Sequence, residues 1–254
     1  MIEAYGLTDV GRRRKLNEDS FLVDHELSLY AVCDGMGGHN AGEVASRMAA
    51  DALASFVRKS AEDDEDMTWP FGFDEELSLQ ANRLKTAIRL ANGSVFRAAD
   101  NREDLSGMGT TLVAALIRGD RLILGSAGDS RCYLLRGGEL RQLTRDDSWV
   151  SAAWAEGILT ADEIERHPFR NVITKAVGAK DSLEVDIHEH TLQPGDIALI
   201  CSDGLHAMIH DADILRLLTP PPGSLEQAAQ SLIDAANDAG GRDNVSVVLV
   251  RYTE

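Results

Sequence analysis

Asp34 follows the apolar run Leu29-Tyr30-Ala31-Val32-Cys33 and precedes Gly35-Met36-Gly37-Gly38-His39. An acid beside glycines combines a carboxylate with a backbone carbonyl that no neighbouring side chain shields. Hard divalent cations take such oxygen ligands. An Asp-Gly hairpin turn is the plainer reading of the same residues. The pattern recurs, however. Ser202-Asp203-Gly204 follows the apolar run Ile197–Cys201, Gly128-Asp129-Ser130-Arg131 sits between two apolar runs, Asp243-Asn244 leads into Val245–Val250, and Glu18-Asp19 precedes Phe21–Val23. One acid at a strand edge is ordinary turn chemistry. Several converging acids repel unless cations lie among them. Without His or Cys partners, such a set selects Mg²⁺, Mn²⁺ or Ca²⁺ over zinc.

The elements that must position these acids are read from periodicity. Strands are expected at Ile2–Thr8, Phe21–Val23, Leu29–Cys33, Leu112–Ile117, Arg121–Ser126, Cys132–Leu135, Leu183–His190, Asp196–Cys201 and Val245–Val250. Apolar residues at helical spacing predict helices over Ala41–Val57, Asp74–Ala99, Ala212–Leu218 and Leu225–Ala239, with a short one at Ala161–Arg166. Ser106–Thr111 reads as a turn, as do Gly119-Asp120 and Gly137-Gly138. Residues 144–171 read as a surface excursion over the main body. Strands cluster as meanders and helices as pairs, which favours α+β over a doubly wound sheet. No low-complexity linker divides residues 1–254, so one domain is expected.

The chain has 254 residues, 44% of them hydrophobic, and a formal net charge of −17. That charge argues against nucleic acid or an anionic membrane as the main partner. No run reaches transmembrane length and the N-terminus carries no basic-then-apolar signal, so a cytoplasmic location is expected. Cys33, Cys132 and Cys201 are odd in number and lie in apolar runs, as buried thiols do. The five acids Glu62–Asp66 read as a solvated loop. Arg12-Arg13-Arg14-Lys15 is a cationic run in an acidic chain and invites an anion. His206 and His210, spaced i, i+4, and His188 and His190, sharing a strand face, lack a third ligand and read as structural or solvated.

Taken together, Arg14-x-x-x-Glu18-Asp19, Asp34-Gly35-Met36-Gly37-Gly38-His39, Gly128-Asp129-Ser130-Arg131, Ser202-Asp203-Gly204 and Arg242-Asp243-Asn244, in that order, resemble the metal-dependent protein serine/threonine phosphatases of the protein phosphatase 2C (PPM) family in its compact bacterial form. The resemblance implies two mainly antiparallel sheets packed face to face with helices outside, an α-β-β-α sandwich. It implies two core Mn²⁺ or Mg²⁺ ions, bridged by Asp34. Asp203 and Asp243 would complete the first site, Glu18 and the Gly35 carbonyl the second, and Asp129 with Asp203 a third, weaker one. Asp19 would orient metal-bound water. A hydroxide shared by the two core ions would attack phosphoserine or phosphothreonine directly, with Arg14 gripping the phosphate. The implied partners are phosphoproteins and a bacterial serine/threonine kinase whose work the enzyme reverses; a monomer is expected.

Two departures stand out. Animal members carry histidine directly after Asp-Gly; here Met36 is there and His39 comes three residues later, so general acid, support to the metal site and helix start all remain open for His39. Asp147 occupies a position where many bacterial members have histidine. The rival reading is a catalytically weak phosphoprotein-binding or partner-switch module of the same fold, which predicts missing metal ligands.

Overall fold

The computed structural model describes residues 1–38, 41–62, 68–164, 166–219 and 223–253. Two antiparallel sheets form its centre. The first orders β1 (Ile2–Asp9), β11 (Val245–Tyr252), β10 (Ile197–Cys201), β7 (Arg131–Arg136) and β8 (Glu139–Gln142) as β1-β11-β10-β7-β8. The second orders β2 (Asp19–Asp24), β3 (Leu29–Met36), β5 (Leu112–Arg118), β6 (Arg121–Ala127) and β9 (Asp186–Thr191) as β2-β3-β5-β6-β9, with the two-residue β4 (Gly109–Thr110) paired to the end of β3.

Strand alternation explains the layering, because successive side chains point to opposite sheet faces. Tyr30, Val32, Val113, Ala115, Leu122 and Leu124 of the second sheet meet Cys132, Leu134, Ala198, Ile200, Val248 and Val250 of the first in a buried inter-sheet layer. The alternate residues, among them Leu29, Ala31, Cys33, Leu112, Ala114 and Leu116, pack against α1 (Ala41–Glu62) and α2 (Leu79–Asn101). On the far side Tyr133, Leu199, Cys201, Val247 and Leu249 pack against α5 (Asp203–His206), α6 (Asp211–Leu218) and α7 (Leu225–Asp238). The expected α-β-β-α sandwich is therefore what the chain forms. The three cysteines are free and buried, one in each layer. Burial pushes the Cys132 thiol up to about 12. Among the described residues no helix is long and apolar enough to cross a membrane.

The largest departure from the expected elements concerns Asp34, which does not stand at a strand end or in a hairpin turn. β3 continues through Asp34 and Gly35 to Met36. Gly35 N donates to Glu18 O at 3.2 Å, Thr111 N donates to Asp34 O at 2.9 Å, and Gly35 and Met36 pair with Thr110 and Gly109. Gly-rich sequence that reads as a turn is thus held extended by partners on both sides. The expected turn Ser106–Thr111 supplies one of those partners as β4. Three further elements escaped the periodicity: β8 and α5 are each only four residues long, and α3 (Trp149–Ala155) lies within the 144–171 excursion. α4 (Ala161–Ile164) matches the start of the helix expected there. α2 begins at Leu79 rather than Asp74, where the Ser78 hydroxyl accepts from Ala81 N at 3.1 Å as its N-cap. His39, residues 63–66 of the acidic run and Pro220–Pro222 lie outside the described residues.

β1 and β11 are neighbours, and the loop after β1 is sewn to the start of β11 by one side chain. Asn244 Nδ2 donates to Val10 O at 3.0 Å and Leu16 O at 2.8 Å, while its Oδ1 accepts from Glu18 N at 2.8 Å. Asn244 is 5% exposed. Removing an amide that serves three backbone groups leaves them unpaired in a buried place. Asn244→Ala should cost roughly 2–4 kcal/mol on that account; its midpoint in urea, compared with the parent at an unchanged m-value, is the check, and a change under about 0.5 kcal/mol contradicts the pinning role.

Candidate metal centre

The acids singled out in the sequence converge at one edge of the sandwich. Asp19 and Asp34 are directly opposite each other on β2 and β3. Asp203 opens the helical turn that leaves β10, with Ser202 at the N-cap position. Asp129 lies in the loop between β6 and β7, and Asp243 just before β11. Each site acid is thus delivered by the end of a different strand, or, for Asp34, by a strand run on past its hairpin partner.

Close backbone approach makes the edge possible. A Cβ on Gly35 would lie 2.1 Å from Gly42 O and 2.4 Å from Glu18 O, and a Cβ on Gly42 would lie 2.4 Å from Glu18 Oε1. The first turn of α1 therefore presses on the strand that carries Asp34, with the Glu18 carboxylate wedged beside it. Ser46 on α1 secures the same corner, its hydroxyl donating to Glu18 O at 2.6 Å. A Cβ on Gly204 would meet Asn244 O at 1.9 Å, so the Asp203 turn rests on the Asp243-Asn244 backbone. Gly11, at φ +80°, brings the cationic run against Asp243 O in a conformation other residues rarely adopt.

Electrostatically the cluster is under tension. Burial, then the charges of Asp19, Asp203, Asp129 and Asp243, hold the Asp34 carboxyl well above the usual carboxylate range. Burial and Asp243 raise Asp203, while a hydrogen bond with Asp34 works the other way. Asp129 is pushed up to about 7 by burial and by Asp203 and Asp146. Asp19, 8% exposed, is also raised to about 7 by burial, although its Oδ2 accepts from Ser246 Oγ at 2.7 Å and Ser202 Oγ at 2.9 Å. Two cations temper the group: Arg14 Nη2 donates to Asp243 Oδ2 at 2.7 Å, with Glu18 and Asp34 also acting on its charge, and Arg131 acts on Asp129 and Asp203. Of the cationic run, Arg14 alone is drawn to the acids in this way; Arg12, Arg13 and Lys15 are exposed.

Among the described residues, no three His, Cys, Asp or Glu side chains already surround one point at coordinating spacing. Asp34 and Asp203 share a hydrogen bond and Asp243 turns to Arg14. The donor set nevertheless fits hard divalent cations. It is all oxygen, largely buried, and its own mutual repulsion resists ionisation until positive charge arrives.

Several residues have supporting roles that sequence reasoning did not give them. His206 is not paired with His210 on one helix: α5 ends at His206 and His210 caps α6. His206 Nε2 instead lies 3.0 Å from Asp129 O, and burial beside Arg131 depresses the imidazole to about 3. Arg131 grips Asp146 with Nε at 3.0 Å and Nη2 at 2.7 Å. Asp147 has a definite task here. Its Oδ2 accepts from Gly128 N at 3.1 Å, its own N donates to Gly128 O at 2.8 Å, and Oδ1 pairs with Lys175 Nζ at 3.1 Å. It closes the loop that presents Asp129, with Gly128 at φ +114°. Thr111 Oγ1, 2.7 Å from Ser130 Oγ and 3.2 Å from the Asp34 N that donates to it, ties that loop to β3. The available signal for these roles was adjacency to the acids; the i, i+4 spacing of His206 and His210 did not indicate the role of His206.

Comparison with known proteins decides the family. Residues 11–239 match the model for protein phosphatase 2C. The chain belongs to the protein phosphatase 2C family. It is 36% identical over 251 residues to the serine/threonine phosphatase Stp of Listeria innocua, covering 96% of this chain and 93% of that one. It is 41% identical over 242 residues to the serine/threonine protein phosphatase PstP of Mycobacterium tuberculosis, covering 95% of this chain but 43% of PstP. The crystal structure of that M. tuberculosis phosphatase superposes with a TM-score of 0.86 at 38% identity, covering 100% of this chain and 99% of that one. The PstP catalytic domain in complex with two manganese ions gives 0.83 at 37% identity, with 100% and 99% covered. This 2C-type chain is accordingly a metal-dependent serine/threonine phosphatase, a class served by Mn²⁺ or Mg²⁺.

Linkage has an unusual sign here. Asp19 and Asp129 titrate near 7 when folded and near 3.8 when free. Between those values the folded, metal-free protein holds more protons than the unfolded chain, so its stability falls as pH rises toward 7. Cations displace those protons. Thermal melts in EDTA should therefore drop between pH 5 and 7.5, and the rise in Tm on adding Mg²⁺ should be larger at pH 7.5 than at pH 5; a Mg²⁺ effect that is equal at both would contradict the cluster's raised pKa values.

Proposed function

We propose that this phosphatase hydrolyses phosphoserine and phosphothreonine in bacterial signalling proteins, in the cytoplasm, as a monomer, at a centre of two cations. What carries the reading is the convergence of Asp34, Asp203, Asp243, Asp129 and Glu18 on one sheet edge beside Arg14. No motif acid is replaced, which removes the ground for the binding-module alternative. The bacterial origin of relatives named as serine/threonine phosphatases, in Listeria and Mycobacterium, supports a substrate made by a serine/threonine kinase.

In this reading Asp34, Asp203 and Asp243 hold the first cation. Asp34, Glu18 and the Gly35 carbonyl hold the second. Asp129 and Asp203 offer a third, weaker position. Bound Mn²⁺ or Mg²⁺ supplies two things, a lowered pKa for the attacking water and neutralisation of phosphoryl oxygens. The chain's own residues supply the rest. Arg14, half exposed in its ion pair with Asp243, is free to turn its planar fork to the phosphate once cations satisfy Asp243. Asp19 keeps Oδ2 on the Ser202 and Ser246 hydroxyls, and its Oδ1 remains to take a hydrogen bond from water. The leaving alkoxide needs a proton, and His39 remains a candidate to supply it. The excursion at 144–171 borders the groove beside Asp129 and Asp203 with Ser148, Val150, Ile164, Arg170 and Asn171, and we assign it the role of a flap over the substrate.

Phosphate release from a phosphothreonine peptide, before and after EDTA stripping and Mn²⁺ readdition, tests the reaction class; release that persists in EDTA would sink it. Asp34→Asn and Asp203→Asn should abolish the Mn²⁺-dependent rate, and retained turnover in either removes that ligand from the assignment. Arg14→Lys keeps the charge but loses the fork, and should lower kcat/KM about tenfold, chiefly through KM; an unchanged KM would detach Arg14 from the phosphate.

A further inference from the structure

At the opposite edges of the two sheets, β8 and β9 leave a cleft of about 350 Å³, lined by Leu134, Arg136, Glu139, Arg141, His190 and Thr191. None of these residues belongs to the carboxylate cluster. The volume falls in the range of small-molecule sites. Register explains the lining. His190 and His188 pair with Leu122 and Leu124, which face the inter-sheet layer, so both imidazoles point toward the other sheet. Their rings lie 6.5 Å apart. From the facing sheet, Leu134 pairs with Arg141 and Arg136 with Glu139.

The charges in this cleft are unbalanced in a chain of net charge −17. Arg136 is spent partly on Asp196, with Nε at 2.9 Å and Nη2 at 2.5 Å, and Nη2 also donates to Thr191 O at 2.7 Å. Asp196 is 2% exposed and also accepts from Gln193 N, so its charge is fully used. Arg121, on the outer face of β6, is paired with Glu189. No carboxylate pairs with Arg141 among the described residues, and Glu139, the acid lining the cleft, stands exposed at the β7–β8 turn. His190 Nε2 is buried and has no hydrogen-bond partner. After burial, the largest influences on that ring are cationic or imidazole: Arg141, His188, Arg136 and Arg121. A cation would be repelled there. A multivalent oxyanion would accept from Nε2, from the Arg141 fork and from the unused Nη1 of Arg136, meeting the buried nitrogen's missing partner.

We propose that the β8–β9 cleft binds a phosphate-type oxyanion, free or as a small phosphomonoester, through Arg141, Arg136 and His190 Nε2. The site is separate from the hydrolytic centre and stands whether or not the catalytic assignments hold. The test is a titration of the Mg²⁺-loaded full chain with inorganic phosphate at constant ionic strength, reading the His190 ring by long-range ¹H–¹⁵N imidazole correlation. Saturable shifts at His190 are expected, weakened about tenfold in Arg141→Gln, the loss of one charge-assisted contact. Arg141 is exposed, so this variant should fold, and its hydrolysis of phosphopeptide should equal the parent's. Methylphosphonate, a non-hydrolysable analogue of a phosphomonoester with a P–C bond in place of the ester P–O bond, separates the sources: shifts with both ligands show that the site accepts a singly substituted phosphoryl group, and shifts with phosphate alone show a reader of the free ion. A His190 ring that does not respond, that responds equally to chloride, or that responds identically in Arg141→Gln overturns the proposal.

Discussion

The structure turns on the repulsion among carboxylates that the fold forces together. Two like charges about 4 Å apart at an effective dielectric near 20 repel by roughly 4 kcal/mol. Here Asp19 and Asp34 face each other across β2 and β3, with Asp203, Asp129 and Asp243 in electrostatic reach. The carboxylates themselves bring no hydrophobic gain to offset the cost. The sandwich beneath it must be stiff enough to hold the acids where they would not stay unaided, and three buried apolar layers provide that stiffness. The free energy withheld by repulsion is what a divalent cation recovers on binding.

The supporting contacts follow from the same demand. Acids that resist their position need backbone anchors more than side-chain partners. Glu18 is held through its main-chain N and O, by Asn244 and by Ser46 and Gly35. Asp34 is held by hydrogen bonds from Thr110 and Thr111 to its carbonyl. Asp129 is held by His206 on its carbonyl and by Asp147 closing Gly128. In each case the anchoring contacts fall on the main chain around the acid rather than on its carboxylate, although the Asp34 carboxyl shares a hydrogen bond with Asp203. Asp19 is the exception, with one oxygen committed to two hydroxyls.

Much of this was legible in the sequence, for a physical reason. A buried strand prints its alternation on the chain, and an acid at the end of an apolar run is costly enough to be conspicuous. β5, β6, β7, β10 and β11 were therefore readable nearly to the residue. What escaped was set by partners distant in sequence. Asp34-Gly35 reads as a turn until Glu18 and Thr110 are seen to extend it. Four residues of β8 carry too short a pattern to register. Asp147 reads as a departure from the family until Gly128 and Lys175 appear beside it. His206 looked like half of a pair, and its true partner is a backbone oxygen 77 positions away.

The pairing of β1 with β11 has a temporal consequence. Glu18 and Asp243, held together by Asn244, are separated by most of the polypeptide, and β11 lies between β1 and β10 in its sheet. A ribosome releases the Glu18 side long before the strand that completes it. Until Val245–Tyr252 emerges, the first sheet is split, the loop carrying Glu18 lacks its Asn244 anchor, and Asp243 is missing from the edge. The nascent chain therefore completes its set of acids only late, when this strand slots into the gap and brings Asp243 to the edge.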